Sequence, residues 1–508
     1  MQKTGEYAII ATLIIGFFIS SAVFYIVSPD LYNSPDETAT AFWIQEGLRA
    51  DEPLNGVVAN SLHPRSVNVN RDGQLVPGGF LGLPVLYGLV AMVGGLSLAL
   101  LATPLLATLA ALAFWSLVRR WHGRAIAMIS LVGLLSLAPW WYYTARGFLP
   151  NVSFVSFLIM TVWLFTAVRD WRGECSIWPY VAGALPLGWA LFIRPAELPW
   201  LVMIGVLVAV VYWRRLYWPG VAVGAFILAA FGGVIWSYQT MIYGAGLATG
   251  YDTIGEASRS WTTLFLPFGF HPRAIISNVW QYAIGLLWWS TLPLVAAWLW
   301  YWRSTRRWLY PVIILIIGVW LDVVYSSWTF SDTASGTATI GGAYFRYWLP
   351  VYVALMPLFG WAVVRLWQKG KIIKITTTVG VVVILILSTW RVWFAADGLM
   401  PTIKTLGQYR ALRTAAIQQL PESAVIITDR HDKVFWPTFR VAEFMGDWNI
   451  FAKLSPLLKD HPVYYYVHNT LSADDFTLIN QLIADDGLRI VYAGTLTGVD
   501  HYYRLEKL

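Results

Sequence analysis

From residue 7 to about 395, apolar runs of 17 or more residues recur between polar connections, and no other feature constrains the fold as tightly. A helix of that length, rising 1.5 Å per residue, crosses ~30 Å of hydrocarbon. The runs therefore read as transmembrane helices. Composition agrees: 57% of the 508 residues are apolar and 12% are charged, whereas a soluble protein carries roughly a quarter of charged residues. The 30 Trp and 26 Tyr suit a chain whose amphipathic rings settle at headgroup level. A net charge of +7 raises the question of nucleic acid. The basic residues, however, fall in short clusters between apolar segments, the pattern of cytoplasmic loops. One cysteine, Cys175, leaves no intrachain disulfide framework and no thiolate metal cluster. The first run, 7–28, is longer than a signal-peptide core and lacks a small-x-small cleavage site, so it reads as a retained helix.

Eleven spans are expected: 7–28, 96–118, 125–143, 151–168, 178–194, 197–213, 220–243, 275–302, 308–325, 344–367 and 374–395. The basic connections "RRWHGR" (119–124), "VRDWRGE" (168–174), "WRRLYW" (213–218), "RSTRR" (303–307) and "RLWQKGKIIK" (365–374) alternate with the rest. With the N-terminus inside, all five fall inside, and the long loops 29–95, 244–274 and 326–343 fall outside with the C-terminal segment. The short apolar stretch "GFLGLPVLYGLVAMVGG" (79–95) contains Pro and several Gly, and counting it as a span would reverse every later basic loop. It is expected to lie along or dip into the outer leaflet. After residue 395 the pattern changes. Strands are expected at 424–429, 462–470, 489–496 and 501–508, with an amphipathic helix at 473–487. The expected organisation is a polytopic α-helical module, 1–395, with a large first outer loop, 29–95, and a small α/β domain, 396–508, outside the membrane. No internal repeat is evident, which counts against inverted-repeat transporters.

The polar residues that need explaining lie on the outer side of this topology. "SPDETATAFWIQEG" (34–47) brings Asp36, Glu37 and Glu46 soon after the first span, and "SLHPRSVNVNRDGQLVPGG" (61–79) follows with His63 and Arg65. Acids in a Pro-initiated first helical turn are also what the helix dipole favours. "TARGFLPN" (144–151) carries Arg146 and Asn151, and "IRPAEL" (193–198) carries Arg194 and Glu197. "YDTIGEASRSW" (251–261) and "FHPRA" (270–274) contribute His271 and Arg273, and "YSSWTFSDTASG" (325–336) precedes "GGAYFRYWLP" (341–350) with Tyr344 and Arg346. Arginines at helix ends often only snorkel. A cationic set on one face together with acids suits an anionic lipid headgroup, because guanidinium grips phosphate oxygens in pairs. Asp322 is the one acid clearly inside a span. Nucleotide-binding glycine motifs, HExxH and paired CxxC are absent, and the seven His are scattered, so a divalent metal stays open only through carboxylates.

With these residues in view, the chain resembles the GT-C glycosyltransferases. These include the polyprenyl- or dolichyl-phosphate-sugar-dependent protein O-mannosyltransferases and the lipid A aminoarabinose transferases. The resemblance rests on the Asp-Glu pair after the first helix, Glu46 ten residues on, the "HPRS…VPGGFLGLPVLYG" stretch, "FIRPAELPW" (192–200) and "YFRYWLPVY" (344–352). It implies inverting transfer of a sugar from a polyprenyl-phosphate carrier to a protein, lipid or glycan acceptor on the extracytoplasmic face of a plasma or inner membrane, without a cofactor. Asp36 would be the general base, with Glu37 and Glu46 orienting it or binding sugar. Arg194 and Arg346 would hold the lipid phosphate, with Arg146, His271 and Arg273 as further partners. His63, Arg65, Asn151 and Tyr344 would contact substrate. Asn151 departs from the acid that many members carry there, which puts more of the catalysis on Asp36. Two other readings stay open: a lipid-linked-glycan transporter or flippase, and a non-catalytic membrane scaffold with an outer binding domain.

Overall fold

The fold was examined in a computed structural model, which describes 2–27, 30–47, 60–70, 72–166, 176–246, 248–250, 266, 268–327, 329 and 338–508. Cys175, the 168–174 cluster, 251–261 and most of 325–336 lie outside the described residues. The chain forms two compact units. One comprises Met1–Ile26, Leu100–Ile235 and Ser258–Pro401; the other comprises Val27–Ala99, Trp236–Ala257 and Thr402–Leu508. By packing, then, the first loop belongs with the C-terminal segment. The change in composition at residue 395 gives no hint of that grouping.

In the first unit, the apolar runs became helices. Gly5–Val27, Pro195–Tyr212, Trp218–Tyr243, Tyr344–Trp367 and Lys371–Trp393 are long and apolar enough to cross a bilayer, as is Gly82–His122, which runs in from the first loop. Pro150–Phe165, Trp178–Ile193 and Leu309–Tyr325 are shorter. The remaining two expected spans are bent. Arg124–Ser136 meets Ala138–Ala145 at 53°, where Leu137 is extended and Pro139, lacking an N–H, sits in the first turn of the new helix. Pro272–Leu286 meets Trp288–Ser304 at 105°. The 275–302 segment is thus not one straight span, as its hydropathy suggested. Its first arm winds into a π-helical stretch over 279–286, and Leu287 leaves helical backbone. Arg391 donates to the Leu286 carbonyl at this break. The stretch 79–95 forms a helix from Gly82 that breaks at Gly94 and Gly95. Gly95 takes φ +69°, a conformation that a side chain would strain.

Close helix contacts in this unit use small residues, as expected where lipid removes the hydrophobic drive for helices to associate. Helix Arg124–Ser136 packs on Leu349–Trp367 at Gly360. A Cβ there would lie 2.2 Å from the Ser130 hydroxyl and 2.7 Å from the Ile126 carbonyl.

In the second unit, Pro35–Glu46 is a short helix, and β1 (Val67–Val69) pairs antiparallel with β2 (Leu75–Pro77). The C-terminal domain begins with the helix Leu399–Gln419 and builds one sheet from β3 (Val425–Thr428), β4 (Arg440–Glu443), β5 (Val463–His468), β6 (Leu488–Thr497) and β7 (Asp500–Lys507). The order is β4-β3-β5-β7-β6, parallel from β4 through β5 and antiparallel from there to β6. All four expected strands are present, as is the helix, at Ala473–Ala484. β4 and the long helix preceding β3 were not anticipated. The core is made by Val425, Ile427, Phe451, Val463, Ile483 and Leu505, together with Leu62 from the first loop.

Gly360→Ala is expected to lower the melting temperature of the detergent-solubilised protein by several degrees, because the Ile126 backbone stands in the way. Gly380→Ala, where nothing lies within 4 Å, should leave it unchanged.

Candidate active site

The acidic end of the first loop is built around a helix cap. Ser34 is the N-cap of Pro35–Glu46, its hydroxyl accepting from the Asp36 N–H at 3.2 Å. Glu37 closes the capping box by accepting from the Ser34 N–H at 3.0 Å and is buried. The two neighbouring acids are thereby separated in role. Glu37 holds the helix start, while Asp36 is half-buried, with the Ser66 hydroxyl 3.4 Å from its Oδ1. Glu46 is exposed at the far end of the same helix. Ten residues of helix separate it from Asp36, so the structure does not bring these two acids together.

His63 and Arg65 lie on the returning arm of the loop. His63 Nδ1 is 2.9 Å from the Pro64 carbonyl, and burial holds its imidazole below the ordinary value. Arg65 is engaged by the C-terminal domain. Its backbone N–H and its Nε reach the two oxygens of the fully buried Asp432 at 2.9 and 2.8 Å, and Nη2 donates to the Arg430 carbonyl at 3.1 Å. Two groups near Asp432, one in the turn 430–436 and one at the end of β4, have shifted titrations. Burial, with Lys433 and His468 alongside, pushes His431 down to about 4. Burial and the Asp432 carboxylate push Glu443 up to about 7.

In the first unit the cations are arranged around tyrosines. Arg194 follows helix Trp178–Ile193 and is 4% exposed. Its Nε and Nη2 donate to Glu197 Oε1 at 2.9 and 2.6 Å, and Nη2 also donates to the Tyr325 hydroxyl at 2.6 Å. Tyr325 in turn donates to Glu197 Oε1 at 2.7 Å, and Trp200 Nε1 donates to Oε2 at 2.7 Å. The Tyr325 and Tyr347 rings stack at 4.2 Å with 2° between their planes. Arg194 lies 4.9 Å from the Tyr347 ring and Arg346 5.4 Å from the same ring, so the structure brings these two arginines onto one aromatic platform. Arg346 is half-buried in the 3₁₀ turn Ala343–Trp348.

Tyr344, on that turn, is buried. Its hydroxyl donates to the Tyr325 carbonyl and accepts from Asn278 Nδ2 at 3.1 Å, and its ring stacks on Tyr282. The helix bearing Asn278 begins at His271 and Arg273, both exposed. Arg146 is buried, donates to the Tyr142 hydroxyl at 2.8 Å and lies over Phe24. Asn151 is buried, and its Oδ1 has no hydrogen-bond partner among the described residues. Glu197, Tyr325, Tyr347 and Asn278 were given no role from the sequence. Only the three-residue spacing of Arg194 and Glu197 could have signalled a pair. No three His, Cys, Asp or Glu side chains gather as a metal site among the described residues.

Two measurements check this geometry. Glu197→Ala leaves a buried guanidinium without its carboxylate and is expected to destabilise the protein by about 3 kcal/mol in thermal unfolding; Glu197→Gln should cost less. For His431 the unfolded chain takes up a proton near pH 6.5 and the folded chain only near 4, so folding stability should fall as pH drops through that window. His431→Phe should flatten that loss. Glu443 acts in the opposite sense: the folded chain keeps its proton to about 7, so stability falls as pH rises from 4.5, and Glu443→Gln should remove that slope.

No family model and no curated protein matches the sequence. Among solved structures, the fold is similar to ArnT from Cupriavidus metallidurans bound to undecaprenyl phosphate, with a TM-score of 0.58 and 14% identity, covering 99% of this chain and 98% of that one. The apo form of the same protein gives a TM-score of 0.54 over the same shares at 14% identity. An oligosaccharyltransferase from Archaeoglobus fulgidus aligns with a TM-score of 0.46 and 10% identity over 90% of this chain and 69% of that one. The chain therefore shares the fold of these ArnT structures along essentially its whole length, a multi-helix membrane module with a small α/β domain at its C-terminal end.

Proposed function

We propose that this protein is an integral-membrane inverting glycosyltransferase that moves a sugar from a polyprenyl-phosphate donor to an acceptor on the extracytoplasmic face. The arrangement at Tyr347 is the observation that carries the reading. Arg194, which pairs with Glu197, lies 4.9 Å from the ring, and the half-buried Arg346 lies 5.4 Å from the same ring. A site so built suits the leaving phosphate of a lipid-linked sugar. Arg346 supplies paired N–H donors and charge, and the tyrosine face limits where the guanidinium can turn. Arg273 and His271 would add positive charge from the exposed start of their helix. The likeness to a structure holding undecaprenyl phosphate supports a polyprenyl phosphate as the carrier.

In the reaction, the acceptor hydroxyl oxygen attacks the anomeric carbon. The bond from that carbon to the phosphate oxygen breaks, and the electron pair leaves with the polyprenyl phosphate, inverting the configuration. The hydroxyl proton passes to the Asp36 carboxylate. The capping geometry supports Asp36 over Glu37 as base, since Glu37 is occupied by the Ser34 N–H. A phosphate is a good leaving group, so cations rather than a general acid meet the developing charge. The orphan Asn151 carbonyl supports a role in accepting a hydrogen bond from a sugar hydroxyl.

The test uses the full chain in nanodiscs with undecaprenyl phosphate and, as control, undecaprenol. Undecaprenyl phosphate should bind well above undecaprenol, and Arg346→Ala should weaken it by about tenfold or more, ~1.4 kcal/mol. Asp36→Asn should bind as the parent does but transfer no sugar from undecaprenyl-phosphate monosaccharides. Equal binding of the two lipids, or transfer by Asp36→Asn, would overturn the assignment.

A further inference from the structure

The segment that carries Asp36 into its helix is held chiefly through main-chain carbonyls. Arg410 donates to the Val27 carbonyl at 3.0 Å, Arg413 to that of Asp30 at 3.2 and 3.3 Å, and Lys433 to that of Asn33 at 2.6 Å. The acceptors recur every third residue, and the last immediately precedes the Ser34 cap. All three donors come from the C-terminal domain, and Arg413 is the buried one, 6% exposed. Its guanidinium also donates to the Val434 carbonyl at 2.6 Å, to the Trp436 carbonyl at 2.9 Å and to Asp30 Oδ2 at 3.0 Å. One cation thus joins the turn 430–436 to a segment almost four hundred residues earlier.

The returning arm of the loop is fixed to the same turn. Arg65 pairs with Asp432 and the Arg430 carbonyl, Leu62 is part of the domain core, and Ser66 reaches Asp36. Trp436 also packs on Phe42, within the Asp36 helix. These two segments are therefore both tied to the 430–436 turn, the first through Lys433 and through Arg413, which bonds to both, and the second through Arg65.

We propose that the 430–436 turn, with Arg413 at its centre, is the template that sets the position of Asp36, and that placing this carboxylate is what the C-terminal domain contributes to the reaction. The catalytic half of this inference rests on the glycosyltransferase reading; the structural half does not. Arg413 is a positioning residue. Bonding to carbonyls holds the segment whatever side chains it carries, and a buried guanidinium tolerates little displacement before acceptors go unpaired. A general base misplaced by about 1 Å can cost on the order of a hundredfold in rate.

The experiment uses the full chain in nanodiscs and two readouts. The first is amide hydrogen exchange over 31–46; the second is transfer from a panel of undecaprenyl-phosphate hexoses and pentoses. Arg413→Met should raise exchange over 31–46 by about tenfold while leaving 349–367 unchanged. It should also lower kcat by about tenfold or more, with the donor KM within about twofold of the parent. Arg413→Lys should recover part of both. Unchanged exchange in Arg413→Met overturns the template, and faster exchange with parental kcat overturns its catalytic consequence. If Arg413→Met fails to fold, Lys433→Met, which removes the bond to the Asn33 carbonyl, takes its place under the same two criteria. Asp36→Asn run in parallel separates the two ideas. If it still transfers sugar, the base assignment is wrong, while the exchange result continues to decide the template.

Discussion

A guanidinium taken out of water keeps its charge, and its N–H groups must find acceptors, so the chain around a buried arginine has little freedom in how it folds. Arg194 and Arg413 impose that condition in their respective units. Around Arg194, one carboxylate, one tyrosine hydroxyl and one tyrosine face fix the junction of two helices and orient the Tyr325–Tyr347 stack. Around Arg413, carbonyls from residues 30, 434 and 436 join the start of the first loop to the 430–436 turn. In both places a buried charge serves as an internal fastener.

That role reassigns part of the chemistry. Arginines near helix ends were grouped as phosphate ligands because guanidinium and phosphate match in geometry. Burial divides the group: Arg194 is buried and paired with Glu197, whereas Arg346 is half-buried and lies over the same Tyr347 ring. Among the acids the same logic separates Asp36 from Glu37, which are neighbours in sequence but differ in that one closes a helix cap. Arg65 belongs with the fasteners, since its backbone N–H and Nε meet both oxygens of the fully buried Asp432.

How far the fold was legible follows from the range of the forces involved. The membrane helices were readable because hydropathy over some twenty residues is a local sum, and each of the eleven expected segments lies on an apolar helix or a bent pair. The bends were not readable. At the turn at Leu287, the Leu286 carbonyl accepts from Arg391, more than a hundred residues later, a partner that no local window contains. In the C-terminal domain, β3, β5, β6 and β7 announced themselves by β-branched and aromatic runs. The four residues of β4 carry no such run and are a strand only because β3 offers them a parallel edge. The hairpin β1–β2 is likewise too short to signal itself.

By itself, the sequence determined that this chain resides in a membrane, where its helices begin and end to within a few residues, that a small α/β domain closes it, and which polar residues deserved attention. Each of these follows from composition or periodicity over one turn to one span. Tertiary structure alone decided which of those polar residues are spent on one another: Arg194 on Glu197, Arg65 on Asp432, Arg413 on the carbonyls of the first loop. It also decided that the first loop packs with the C-terminal domain, in one compact unit. The physical reason is that a charge and its partner need only be near in space. Sequence separation costs a folded chain little once closure has occurred, so pairing of this kind leaves almost no mark on the one-dimensional pattern.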